Sequence, residues 1–145
     1  MTMTVKSHKI VRPSGSYHLE LPREVCEQYD GRVSSFWLDG GPMLLQVSSY
    51  VRNEGKQLRA KDRLKERISK DDQNWNPWKS QIHPDAGIDQ ATAEYVDTDN
   101  LVWIHCYLVW PHLTVYATIS GPNTLVKDPS NWALKAIKSL RLTAH

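Results

Sequence analysis

His105, Cys106 and His112 fall within the segment LVWIHCYLVWPHLTVYATIS, residues 101–120. A thiol flanked by imidazoles is the raw material of a zinc site or an activated nucleophile. Either use requires the side chains to converge. The segment is two runs of β-branched and aromatic residues about Pro111-His112, which predicts a hairpin, and neighbouring residues of a strand project from opposite faces. Pairing through a two-residue turn sets Trp110 opposite Leu113, Leu108 opposite Val115, Cys106 opposite Ala117 and Ile104 opposite Ile119. Cys106 then joins an apolar face and His105 points away from it. His112 lies at the turn, roughly 20 Å further along at ~3.3 Å per residue. The triplet therefore implies no metal site, no nucleophile and no cofactor.

The strand before the hairpin adds a second constellation. A turn centred on Thr98-Asp99 would set Glu94 across from Trp103 and Thr92 across from His105, with Ala91, Ala93 and Tyr95 turned to the core. The outward face would then carry Glu94, Trp103, His105, Tyr107, Thr114, Tyr116, Thr118 and Ser120. The ordinary fate of such a face is partial cover by a helix and solvent elsewhere. Its functional use would be a binding surface with Glu94 and His105 as polar anchors and the rings as contact area. An enzyme built around Glu94 and His105 needs a further converging acid or nucleophile, which the sequence does not supply. Walker, GxGxxG, HExxH and GxSxG signatures are absent as well.

Two further features carry chemistry. Trp75 and Trp78 stand in NWNPW, inside a long polar connection, where an indole either pins the loop or forms the rim of a contact surface. Arg59, Arg63, Arg67 and Lys70 line up along a helix expected over residues 57–70, a stripe that could neutralise phosphates while the tryptophans stack on bases. Against nucleic acid stands the whole-chain balance: 18 Lys and Arg against 16 Asp and Glu give a net charge of +2, too weak a field to argue for nucleic acid or an anionic membrane. Cys26 and Cys106 lack any CxxC spacing, so free thiols are expected. The N-terminus has no apolar run of signal-peptide length and no stretch approaches the ~20 apolar residues of a membrane span. A cytoplasmic protein is the expectation.

The elements that must position these residues read as one domain over 17–145, preceded by a polar, aperiodic arm over 1–16. Tyr17 to Leu21 predicts a strand ended by Pro22, and PREVCEQYDG suggests one or two helical turns stopped at Gly31. VSSFWLDGGPMLLQVSSYV predicts a hairpin about Gly40-Gly41 with Phe36, Leu38, Met43, Leu45 and Val47 on one side. Ala60, Leu64 and Ile68 recur every fourth residue on the basic helix. After the strands comes PSNWALKAIKSLRL, a helix that Ser130 or Asn131 can cap, with Ala133, Ile137 and Leu140 on its apolar side. Strands, helix, strands, helix without a βαβ rhythm predict an α+β domain: a mostly antiparallel sheet of about six strands flanked by two main helices.

Three pieces within this order, YHLELP, VYATISGP and WALKAIKSLRL, resemble the Mog1/PsbP-like group. The resemblance implies an α/β/α sandwich around an antiparallel sheet and action by binding, as import cofactors, extrinsic photosystem subunits and secretion-effector chaperones do. It implies no catalytic set. Without a plastid or secretory leader, the role it suggests is a cytoplasmic adaptor or chaperone. The combined expectation is a non-enzymatic module that binds another protein or peptide, with the basic helix and the Glu94–His105 enzyme as alternatives.

Overall fold

The computed structural model describes residues 8–51, 59–70, 73–77 and 88–143. In chain order the elements are β1 (His8–Val11), β2 (Tyr17–Pro22), β3 (Cys26–Asp30), β4 (Val33–Trp37), β5 (Leu44–Val51), α1 (Ala60–Ser69), β6 (Asn76–Pro77), β7 (Asp89–Val96), β8 (Leu101–Trp110), β9 (Leu113–Pro122), α2 (Asn123–Val126), α3 (Trp132–Lys138) and β10 (Arg141–Leu142). Seven strands form one antiparallel sheet in the order β3-β4-β5-β9-β8-β7-β6, and β1-β2-β10 form a smaller one. α1 packs on β7 and β8, whereas α3 packs on β2 and β9. The expected α+β, α/β/α sandwich is what the chain builds.

The main core lies between the large sheet on one side and the small sheet with α3 on the other. Leu19, Leu21, Phe36, Leu45, Ile104, Leu108, Ile119, Ile137 and Leu140 are fully buried there, and burial of such side chains stabilises by roughly 1.5–3 kcal/mol each. Both expected hairpins hold their register: Trp110 pairs with Leu113 and Cys106 with Ala117, and Phe36 pairs with Leu45. Asn131, not Ser130, caps α3. Its side-chain oxygen accepts from the N–H of Ala133 at 2.8 Å and of Leu134 at 3.3 Å, while its amide donates to the Val126 carbonyl at 2.9 Å.

Three expectations are corrected. The stretch 1–16 is not wholly an arm, because His8–Val11 pairs antiparallel with β2 and buries Val11 in the core. PREVCEQYDG is not helical. Too few residues separate Pro22 from Gly31 to offset the cost of a helix nucleus, and Cys26–Asp30 instead forms a five-residue ladder with β4. Gly31, at φ 63°, supplies the positive φ that primed hairpin turns need at their first central position. Lys9 ties this edge down, bridging Glu27 at 2.6 Å and donating to the Val25 carbonyl at 2.7 Å.

The third correction reverses a face. The β7–β8 connection is a three-residue loop, Thr98 to Asn100, not a two-residue turn on Thr98-Asp99. Asn100 sits at φ 67°, the left-handed residue that closes such loops. The added residue slips the register by one, and with a side-chain period of two this exchanges the faces of β7. Ala93 is opposite His105, Tyr95 opposite Trp103, and Thr92 and Glu94 are opposite Cys106 and Ile104. Because a β-branched residue is strained in the left-handed region, Asn100→Val should lower stability by about 1–3 kcal/mol. Asn100→Gly should leave it within a few tenths, as read from urea midpoints.

Candidate functional site

The face of the sheet turned away from the main core carries a contiguous cluster of rings. Cross-strand pairing sets Tyr95 beside Trp103 and Tyr107 beside Tyr116, and β6 pairs with β7 so as to lay Trp75 on the same face. The Trp75 ring lies 4.6 Å from those of Tyr95 and His105. Tyr95 and Trp103 stack at 6.3 Å, nearly parallel. His105 and Tyr116 follow at 5.6 Å, then Tyr116 and Tyr107 at 4.6 Å. Trp75, Trp103, His105, Tyr107 and Tyr116 are thus brought together as the sequence suggests. Trp78 lies outside the described residues.

Helix α1 covers one half of this face. Ala60 and Leu64 are buried over Ala93, Tyr107 and Val109, and the small Ala91 and Ala93 side chains let the helix approach closely. The Ala60 N–H donates to Asp89 at 2.8 Å, placing a carboxylate at the positive end of the helix. In the last turn of the helix, the Arg67 Nε donates to the Tyr107 hydroxyl at 2.9 Å. Its guanidinium lies 4.3 Å from the Tyr116 ring centre, a cation–π contact. Tyr116 in turn shares a hydrogen bond with His105 Nδ1. Burial pushes the Tyr116 phenol up; Arg67 opposes this and the neighbouring tyrosines add to it, so it is neutral at physiological pH. Burial works against the Arg67 charge, yet the Tyr107 bond and the surrounding phenols raise its pKa on balance.

Glu94 is not part of this face. It is 8% exposed on the core side, opposite Ile104 and ion-paired with Lys127. The acid–base pair of the enzyme alternative therefore does not form, because the sheet separates Glu94 from His105. Nearby, Gln90 donates to the Thr92 hydroxyl at 3.2 Å, and that hydroxyl contacts the Cys106 sulfur at 3.5 Å. Burial pushes the Cys106 thiol up to about 12, which rules it out as a thiolate nucleophile at neutral pH. Among the described residues no group of three or more His, Cys, Asp or Glu is placed to hold a metal.

Two residues missed at the sequence level shape the site. Tyr95 belongs to the cluster because of the register slip. Asp97 accepts from the N–H groups of Asp99 and Leu101 at 2.9 and 3.0 Å, and from the Trp103 indole at 2.9 Å. The Leu101 and Trp103 bonds hold its carboxyl below the usual range. One carboxylate thereby fixes both the loop and the indole. The DTDN spelling is a signal for the first of these roles, and nothing in the sequence signals the second.

Beyond α1 the same face is open over β4, β5 and β9. A shallow depression of about 170 Å³ is lined by Val33, Gln46, Ser48, Trp103, Tyr116 and Thr118, with Val33 39% and Tyr50 44% exposed. On the far flank of Tyr107, Arg63, Glu66, Arg67 and Lys70 line a second cleft of about 260 Å³. Arg59 does not join them; its Nε lies 3.7 Å from Asp89.

No protein-family profile matches the sequence, and no curated protein does. Among solved structures the chain is similar to cyanobacterial PsbP (CyanoP) from Synechocystis sp. PCC 6803, a solution structure, at 13% identity and a TM-score of 0.68 over 99% of this chain and 98% of that one. It is also similar to a protein from Bacteroides thetaiotaomicron VPI-5482, a 1.50 Å crystal structure, at 12% identity and a TM-score of 0.56. That match covers 96% of this chain and 49% of the other, so the chain spans about half the length of the Bacteroides protein. The fold is PsbP-like. No helix among the described residues is long and apolar enough to cross a membrane.

The buried thiol and phenols make stability fall in alkali. Cys106 ionises near 9.0 when exposed and near 12 when folded, so between those values the unfolded chain releases a proton that the folded chain retains. Stability is therefore fully present below about pH 9 and declines as pH rises. Tyr17 and Tyr116, both raised above 10.0 by burial, steepen the decline beyond pH 10. Urea midpoints should fall progressively from pH 8.5 to 10.5 (about the ordinary Cys and Tyr values), and Cys106→Ala should flatten the lower part of that slope. The native thiol should also resist labelling until denaturant is added.

Proposed function

We propose that this protein is a non-enzymatic, adaptor- or chaperone-like module that binds an extended peptide segment of another protein, and that it does so in the cytoplasm. The observation that supports this reading is the open half of the ring-bearing face. There Trp103 and Tyr116 border a depression whose other side chains include Gln46, Ser48 and Thr118. The rings offer contact area, and the amide and hydroxyls offer donors and acceptors to a peptide backbone.

These rings are fixed before any ligand arrives. Asp97 orients Trp103, while Arg67 and His105 hold Tyr116. Fixing a side chain in advance removes an ordering cost of about 0.5–1.5 kcal/mol from the binding step. The enzyme alternative is weakened by the separation of Glu94 from His105. The nucleic-acid alternative is weakened by the pairing of Arg59 with Asp89, which draws one cation of the stripe away from the others.

Affinity capture from the native host, with partners identified by mass spectrometry, should recover proteins with the wild-type chain. Trp103→Ala and Tyr116→Ala should each weaken recovery by about thirtyfold, the cost of truncating a well-packed aromatic anchor, while far-ultraviolet circular dichroism stays unchanged. Capture that survives both substitutions but is lost when Arg59, Arg63 and Arg67 are neutralised, with nucleic acid co-purifying, would replace this reading with the basic-helix one.

A further inference from the structure

We propose that the cleft between α1 and Tyr107 is a subsite for a phosphoryl group carried on a side chain of the bound peptide. This rests on the peptide-binding reading above and names what that peptide must carry. Arg63, Arg67 and Lys70 stand at i, i+4 and i+7 on α1 and line the cleft with Glu66 and the Tyr107 ring. Arg67 and Lys70 supply the positive charge that a phosphoryl group, ≈ −1.5 to −2 at pH 7, would meet there.

The cleft is also prepared in geometry. Glu66 is engaged with Lys70 at 3.3 Å, an exposed pair within reach of exchange with an incoming anion. Arg67 is held from two sides, by the Tyr107 hydroxyl at 2.9 Å and by the Tyr116 ring. Its Nε is thus committed, and its two Nη groups have no hydrogen-bond partner among the described residues. Arginine presents these donors as a planar fork that suits phosphate oxygens. No carboxylate among the described residues pairs with Arg67, so its charge is not neutralised in place.

Arg67 also joins the two surfaces. It lines the cleft and lies over Tyr116, and Tyr116 lines the open depression. One peptide can therefore place a phosphoryl group against Arg67 and a neighbouring apolar side chain against Tyr116 and Trp103. A free anion or a lipid headgroup would use the cleft alone.

Amide and side-chain NMR of the full 15N-labelled chain tests this with two probes. Inorganic phosphate should give saturable shifts at Arg63, Arg67, Lys70 and Tyr107, with chloride at equal ionic strength giving none. Arg67→Gln and Lys70→Gln should each weaken phosphate by about tenfold, as loss of a charge-assisted bond does. Arg59→Gln, which removes the same charge at the N-terminal cap of that helix, should leave phosphate unchanged. Lys70 is exposed, so its substitution reads the site without disturbing the fold. Absence of saturation, or an Arg59→Gln effect equal to that of Lys70→Gln, overturns the subsite.

The second probe is a degenerate peptide library with a central phosphoserine, compared with the same library carrying serine. The phosphorylated library should bind at least tenfold more tightly and shift both the cleft and the Trp103 and Tyr116 signals, by the same charge-assisted contribution of roughly 1.5–3 kcal/mol. Equal binding of the two libraries overturns the proposal and leaves peptide binding standing. Phosphate saturation with no library shift at Trp103 or Tyr116 overturns the peptide-borne phosphoryl and the peptide-binding face together.

Discussion

One backbone conformation decides what this protein presents to its surroundings. Asn100 adopts φ 67° and closes a three-residue loop, so β7 meets β8 one residue away from the pairing that a two-residue turn would give. What β7 contributes to the working face depends on that residue. Tyr95 lies beside Trp103, Ala93 lies under α1, and Glu94 is carried through the sheet to Lys127. Asp97 reinforces the conformation by accepting two loop N–H groups, then uses its second oxygen to hold the Trp103 indole. Local turn chemistry and the orientation of a ring in the candidate site are one structural event.

The same constraint explains how polar groups on the core side are tolerated. Gln90, Thr92 and Glu94 are all buried at the margin of the main core, where isolated polar groups would each cost about 1–3 kcal/mol. They are engaged there with one another, with Cys106 and with Lys127. On the opposite face the complementary set, Ala91, Ala93 and Tyr95, gives α1 a shallow seat and extends the ring cluster. Helix and cluster then stabilise each other through Arg67, whose bond to Tyr107 and stacking on Tyr116 link the covered and open halves.

Much of this was legible in the residues. The β8–β9 register followed from two strongly patterned runs about Pro111-His112, and the β4–β5 register from the runs about Gly40-Gly41. These settle the opposite facing of His105 and Cys106, and the juxtaposition of Tyr107 with Tyr116. β7 was not legible, because DQATAEYV alternates small apolar with polar residues and so invites the apolar set inward. Tertiary context inverted that choice: the inward edge has Lys127 to receive a carboxylate, and the outward face has a helix needing small residues beneath it. β3 and β1 were missed for a related reason. Both are short, largely polar edge segments, and their strand character comes from the ladders offered by β4 and β2 rather than from their own composition.

The place of Tyr95 in the ring cluster, the seat of α1 and the exclusion of Glu94 from the site all follow from the β7–β8 register. Nuclear Overhauser spectroscopy on the labelled protein tests it most directly. Cross-strand contacts are expected from Ala93 to His105 and from Tyr95 to Trp103, together with ring contacts from Tyr95 to both Trp103 and Trp75. Cross-strand contacts from Thr92 to His105 and from Glu94 to Trp103 would contradict it, returning Glu94 to the face of His105 and removing Tyr95 from the cluster.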